Sequence, residues 1–150
     1  MKTYTTKNIR NVVLIGAPRS GKTTLSEAML FEGKVIDRRG SVEEKNTVSD
    51  NTEFEQTNQK SINATPLYAE FNGCKINFID APVCDDFSGG ALAAFKVVEA
   101  AVMVMNGTAG IEVGTTLFGR YADQYGVPMI IAVNQLDHDK AHWDGVRNAI

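Results

Sequence analysis

The residues best suited to do chemistry lie near the start of the chain. Gly16-Ala17-Pro18-Arg19-Ser20-Gly21-Lys22-Thr23 fits the pattern G-x-x-x-x-G-K-[ST]. Such a loop wraps a phosphate with backbone N–H groups. Its glycines let the chain turn and approach closely, and the helix that follows aims its positive end at the anion. The spacing assigns Lys22 to the β- and γ-phosphates and the Thr23 hydroxyl to Mg²⁺. Thr24, next along, completes the candidate phosphate-binding set. A chance match to the pattern would not need structural surroundings, but this one has them. Asn11–Gly16 is a short apolar run ending in glycine, as in a buried parallel strand. Lys22–Glu32 then places Leu25, Ala28, Met29 and Phe31 at helical spacing, with Gly33 as the stop.

The remaining elements alternate in the same way. Pro66–Phe71 and Cys74–Ile79 are strand candidates joined by Asn72-Gly73, a strong hairpin signal. Asp80 closes the second of them and Ala81-Pro82 breaks the pattern. Phe87–Glu99 reads as a helix, Ala100–Met105 as a buried strand, and Thr116–Tyr125 as a helix stopped by Gly126. Val127–Val133 reads as another buried strand, followed by Asn134-Gln135-Leu136-Asp137 and a terminal helix over residues 137–150. Apolar strands alternating with helices predict an α/β fold with a mostly parallel sheet and one antiparallel hairpin strand. Ligands of such sheets bind beyond the carboxyl ends of the strands, so Gly16, Asp80 and Asn134 stand in the expected places. The stretch from Lys34 to Lys60 is polar and charged, with isolated apolar residues. It reads as a long, mostly solvated loop, which in a compact domain is usually functional or mobile.

Composition narrows the classes. The chain has 150 residues, 43% hydrophobic and 22% charged, enough for one soluble domain that buries roughly 70% of its unfolded surface. Lys and Arg number 15 against 18 Asp and Glu, a net charge of −3, which argues against a domain basic all over for nucleic acid. No apolar run reaches the ~18–20 residues of a membrane span, and the N-terminus lacks the apolar region of a secretory signal. Cys74 and Cys84 are too few for a disulfide framework and fit a reducing cytoplasm. They lack metal-site spacing. His138 and His142 are spaced i, i+4 on the expected terminal helix, with no third ligand, and read as a solvent-exposed pair. Met103 and Met105 read as core.

The order of the motifs resembles the G domain of translational GTPases, and elongation factor G above all. The phosphate loop, a polar segment, Asp80-Ala81-Pro82 and Asn134-Gln135-Leu136-Asp137 follow in sequence. Cys84-Asp85-Asp86-Phe87, Asn106-Gly107-Thr108-Ala109-Gly110-Ile111-Glu112 and Tyr125-Gly126-Val127-Pro128 add further likeness, which spans about residues 9–143. The resemblance implies a three-layer phosphate-loop NTPase fold, with GTP or GDP and Mg²⁺ as cofactors. It implies that Asp80 holds Mg²⁺ through water and that Asn134 and Asp137 read guanine, with Gln135 beside them. Residues 34–61 become the first switch, and Ser61 replaces the Thr that closes over Mg²⁺ and the γ-phosphate. The implied partner is the ribosome and the implied location the cytoplasm, with no membrane and no sequence-specific DNA binding.

Several positions depart from the family pattern. The second switch typically reads Asp-Thr-Pro-Gly-His, and this chain has Asp80-Ala81-Pro82-Val83-Cys84. Val83 is β-branched and resists positive φ where a glycine N–H would donate to the γ-phosphate. Cys84 replaces the histidine that positions the attacking water, and a thiol is a weak donor and acceptor. Each lost donor of this kind typically costs ~10²–10³ in rate. Intrinsic GTPase rates are only ~10⁻⁴ to 10⁻² s⁻¹, so hydrolysis is expected to be weak or absent. Asn58-Gln59 stands where Arg-Gly precedes the switch Thr. Arg19 replaces an Asp and reads as a solvated loop residue, or as an arginine near the γ-phosphate. Gln135 replaces a Lys and should weaken binding. Three readings follow: an elongation-factor-G-like G domain, a non-hydrolysing nucleotide-binding paralogue, and a generic ATP-using phosphate-loop enzyme, which leaves Asn134 and Asp137 unexplained. The family's later Ser-Ala motif, closing strand and helix are not found after Asp137. Residues 1–150 are therefore expected to be the first part of a larger G domain, with reduced stability and weakened guanine binding in isolation.

Overall fold

A computed structural model describes residues 3–82 and 88–150. The strands are β1 (Ile9–Ile15), β2 (Thr65–Phe71), β3 (Cys74–Asp80), β4 (Ala100–Asn106) and β5 (Met129–Asn134). The helices are α1 (Lys22–Glu32), α2 (Glu53–Asn58), α3 (Ser88–Phe95), α4 (Val113–Tyr125) and α5 (Trp143–Ala149). The strands form one sheet in the order β2-β3-β1-β4-β5. β1 runs parallel to β3 and β4, and β4 parallel to β5, while β2 returns antiparallel to β3. The α/β class, the mostly parallel sheet and its single hairpin strand are as the sequence predicts. Asn72 (φ 47°) and Gly73 (φ 78°) both take the left-handed conformation that a tight two-residue hairpin needs.

Side-chain alternation along β1 divides the core. Val13 and Ile15 face α3, α4 and α5, packing with Ala91, Phe95, Phe118 and Val146. Leu14 faces the other way, onto Leu30 of α1 and Phe78. Two helical layers thus enclose the sheet. Met103 and Met105 are buried, as expected. Phe95 stacks on Tyr125 with ring centroids 6.0 Å apart, tying α3 to the end of α4.

The differences from expectation have local causes. β1 begins at Ile9, because Ile9 and Arg10 already pair with Lys75 and Ile76. α3 ends at Phe95 rather than Glu99. Glu99 is held at the start of β1, where its N–H donates to the Asn11 carbonyl (2.8 Å) and its carboxylate accepts from the Asn11 N–H (3.2 Å). α4 starts earlier than Thr116, at Val113, because Glu112 and Thr115 form a reciprocal capping box. Its stop at Gly126 (φ 64°) is as read. β5 is a sheet edge rather than a buried strand, and Ile130 is 64% exposed. α5 is short, and residues 135–142 form turns instead of helix. His138 sits in a turn and His142 is the α5 N-cap, so they share no helical face, although both are exposed. Cys74 is a half-buried free thiol. Val83, Cys84 and the expected helix start at Phe87 lie outside the described residues. Among the described residues no helix is long and apolar enough to cross a membrane.

Candidate functional site

The phosphate loop joins β1 to α1 at the carboxyl edge of the sheet, and steric demands fix its glycines. Gly16 has φ 142°, and a Cβ there would run into the carbonyl oxygen of Val104 on β4. Gly21 (φ 95°) is the left-handed N-cap of α1, and a Cβ there would run into Asn134 Nδ2. Only glycine satisfies both constraints at once. Between them, Ala17 and Ser20 are buried, while Pro18 and Arg19 are exposed. Arg19 itself is left-handed (φ 62°). Lys22 is 8% exposed and its Nζ donates to the carbonyls of Ala17 (2.9 Å) and Gly16 (3.3 Å), so its ammonium lies inside the loop. Thr24 points to solvent from the first turn of α1.

The loop is braced from β5. Asn134 Nδ2 donates to the Ser20 carbonyl (3.0 Å) and Gln135 Nε2 to the Arg19 carbonyl (3.1 Å). Gln135 takes φ 60° at the strand end, which turns its amide toward the loop. Gly107 holds the same turn from β4: its N–H donates to the Asn134 carbonyl (2.8 Å), and its own carbonyl accepts from His142 N–H (3.0 Å). A Cβ at Gly107 would come within 2.9 Å of Leu136. Asp137 stands on the exposed side of this turn, where Gln135, Asp137, His138 and Asp139 line a shallow hollow.

On the other side of the loop, hydroxyls and carboxylates form a chain. Thr23 Oγ1 donates to Asp80 Oδ2 (3.0 Å) and lies 3.4 Å from Ser61 Oγ, which donates to Asp50 Oδ1 (2.6 Å). Asp80 is 1% exposed. Burial pushes its pKa above the ordinary carboxylate value, against the Lys22 charge and the Thr23 hydrogen bond. Asp50 is also raised, again by burial first, with the Ser61 hydrogen bond opposing and the Glu55 and Glu27 charges reinforcing. Asp80 Oδ1 and the Ser20 hydroxyl are buried without a hydrogen-bond partner among the described residues. Such orphaned oxygens at a loop of this shape suit a hard cation and a phosphate.

The structure therefore brings Gly16–Thr23, Ser61, Asp80, Asn134 and Gln135 together, with Asp137 on the rim and Thr24 turned away. Val83 and Cys84 fall outside the described residues. The segment 34–61 is not a simple solvated loop: Thr47, Ser49, Asp50 and Glu55 are buried. The sequence reading missed three acidic residues in or against it. Glu27 of α1 accepts from the N–H groups of Gly40 and Val48. Asp50 reaches Ser61. Glu55 caps α2 through a capping box with Thr52 and accepts from the N–H groups of Ile62 and Asn63, both at 3.0 Å. Burial raises the Glu55 pKa, but the Thr52 hydroxyl and the backbone donors outweigh it, and the net shift is downward. Thr52-x-x-Glu55 is a capping-box signature that would have revealed α2. Nothing local in the sequence marks Glu27 or Asp50.

A phosphate loop between the central parallel strand and its helix, with an aspartate ending the adjacent strand, defines a phosphate-loop NTPase fold. The model for the elongation factor Tu GTP binding domain matches residues 7–150. An elongation factor G-like protein of Mycobacterium tuberculosis is 36% identical over 135 residues, 90% of this chain and 19% of that protein. Elongation factor G of Dehalococcoides mccartyi is 32% identical, covering 94% of this chain and 20% of its own length. Peptide chain release factor 3 of Lactobacillus helveticus is 34% identical, covering 89% and 26%. A crystal structure of a Thermus thermophilus protein superposes with a TM-score of 0.90 at 32% identity, covering 94% of this chain and 21% of that one. The chain belongs to the elongation factor Tu GTP binding domain family, and thus to the G domains of translational GTPases. It spans about a fifth to a quarter of the length of these relatives.

Proposed function

We propose that the chain is the guanine-nucleotide-binding part of an elongation-factor-G-like translation factor that works on the ribosome in the cytoplasm, with impaired GTP hydrolysis. Residues 7–150 belong to its G domain, and 34–61 is its first switch. The observation that carries this reading is the joint bracing of one loop. Asn134 and Gln135 grip the phosphate loop from the base-reading side, and Thr23 and Asp80 meet it from the metal side.

In this reading, backbone N–H groups of Arg19–Thr23 cradle the phosphates and Lys22 neutralises their charge. The Ser20 hydroxyl, in the same loop, is buried and without a partner among the described residues. Thr23, Ser61 and Asp80 hold Mg²⁺, which when bound neutralises phosphate charge. Asp137 accepts from the ring N–H and exocyclic amine of guanine, where adenine offers no ring N–H. The test is competition binding: GTP and GDP bind in a Mg²⁺-dependent way and excess ATP does not displace them. Equal affinity for ATP sinks the reading in favour of a generic ATP-using enzyme.

A second reading, a non-hydrolysing paralogue without a translocation role, is favoured by Val83 and Cys84. Single-turnover hydrolysis of bound GTP, with and without ribosomes, separates the two. Val83→Gly with Cys84→His is expected to raise the rate by ~10² or more if those two positions limit it. Brisk ribosome-stimulated hydrolysis by the unaltered chain refutes impairment.

A further inference from the structure

Glu27 has no place in the site as described, and its surroundings are unusual. It lies one helical turn beyond Thr23 on α1, so the two side chains share a helix face. Thr23 meets Asp80 and Ser61, and Glu27 meets the front half of the 34–61 segment. Its carboxylate is 1% exposed, and the described residues show no ion pair to it. One oxygen accepts from the Gly40 N–H (2.8 Å) and the other from the Val48 N–H (2.6 Å). Those donors lie at the two ends of a closed loop. Inside it the Ser41 N–H donates to Asn46 Oδ1 (2.7 Å), and a Cβ at Gly40 would crowd the Asn46 backbone. Val48 leads within two residues to Asp50, the hydrogen-bond partner of Ser61. A buried carboxylate satisfied only by backbone N–H groups keeps its hydrogen bonds while that backbone stays docked.

We propose that Glu27 is a positioning residue: an anionic latch that docks residues 40–48 on α1 and thereby sets where Asp50 and Ser61 stand relative to Thr23. The latch makes the triphosphate-preferring arrangement of the segment depend on α1. The nucleotide part of this inference rests on the proposed guanine-nucleotide binding, while the docking part does not.

Glu27→Gln is the main test, because it keeps size and shape. A carboxamide offers one acceptor oxygen, and its NH₂ confronts the second N–H donor. Amide hydrogen exchange of the whole chain without nucleotide is the first readout. Exchange at Gly40, Val48 and the residues between them is expected to quicken by about tenfold or more, while Val13 and Leu14 in β1 stay unchanged. An unaltered 40–48 loop, or a uniform rise across the chain, overturns the latch. The second readout is the ratio of affinities for a non-hydrolysable GTP analogue and GDP. Glu27→Gln is expected to lower that ratio about tenfold, with Glu27→Asp recovering part of it. An equal loss for both nucleotides marks a merely structural role and overturns the positioning claim. If the unaltered chain binds neither nucleotide, the functional proposal fails, and the exchange data alone decide the latch.

Discussion

The phosphate loop and the 34–61 segment meet at Thr23, but different forces hold them. The loop is fixed by steric exclusion and core packing: Gly16 against Val104, Gly21 against Asn134, and the fully buried Val13-Leu14-Ile15 beneath it. The segment is fixed by polar side chains: Glu27 on Gly40 and Val48, Glu55 on Ile62 and Asn63, and Asp50 on Ser61. At Gly16 the obstacle is the backbone of β4, so a clash there cannot be relieved by turning a side chain. Hydrogen bonds to a carboxylate can open one at a time, each at about 1.5–3 kcal/mol. The contrast assigns rigidity to the loop of residues 16–23 and reversibility to the 34–61 segment.

Breaking the rigid side should have the largest effect. Gly16→Ala forces a methyl into the Val104 carbonyl at a φ that alanine avoids. A loss of about 3 kcal/mol or more is expected in chemical denaturation. A loss under about 1 kcal/mol would show that the loop is less constrained than its contacts imply.

The reversible side should respond less, and with a pH signature. Glu55→Gln is expected to cost about 2 kcal/mol at neutral pH. The folded-state pKa of Glu55 lies below its ordinary 4.5. Its stabilisation is therefore complete above the ordinary value and fades as pH falls through that value toward the folded pKa. The gap between the unaltered chain and Glu55→Gln should close over that acid range. A gap that stays constant with pH would mean that the Glu55 charge contributes nothing.

The bracing from β5 is smaller still. Gln135→Ala removes one exposed hydrogen bond to Arg19, for about 1 kcal/mol or roughly a fivefold weakening of nucleotide binding by titration. No weakening would place Gln135 outside the site.

The same contrast explains what the sequence could disclose. The loop, its strand and its helix are contiguous and governed by glycine placement and apolar periodicity, so they are legible residue by residue. The hairpin at Asn72-Gly73 is legible for the same reason. Glu27 and Asp50 are not, because their partners lie many residues away and a buried charge bonded to backbone N–H groups leaves no local pattern. Reading Lys34–Lys60 as a solvated loop follows from composition alone. β5 looks buried because Met129, Ile130 and Ile131 are apolar, yet among the described residues it pairs with β4 on one side alone. The early start of α4 is obscured because Glu112 is an unusual N-cap.

The central claim is that this loop, gripped by Asn134 and Gln135 and flanked by Thr23 and Asp80, holds a guanine nucleotide. Equilibrium competition of GTP, GDP and ATP for the chain, with and without Mg²⁺, tests it most directly. The account predicts Mg²⁺-dependent binding of GTP and GDP that a large excess of ATP leaves in place. ATP binding as tight as GTP binding, or no nucleotide binding at all, would contradict it.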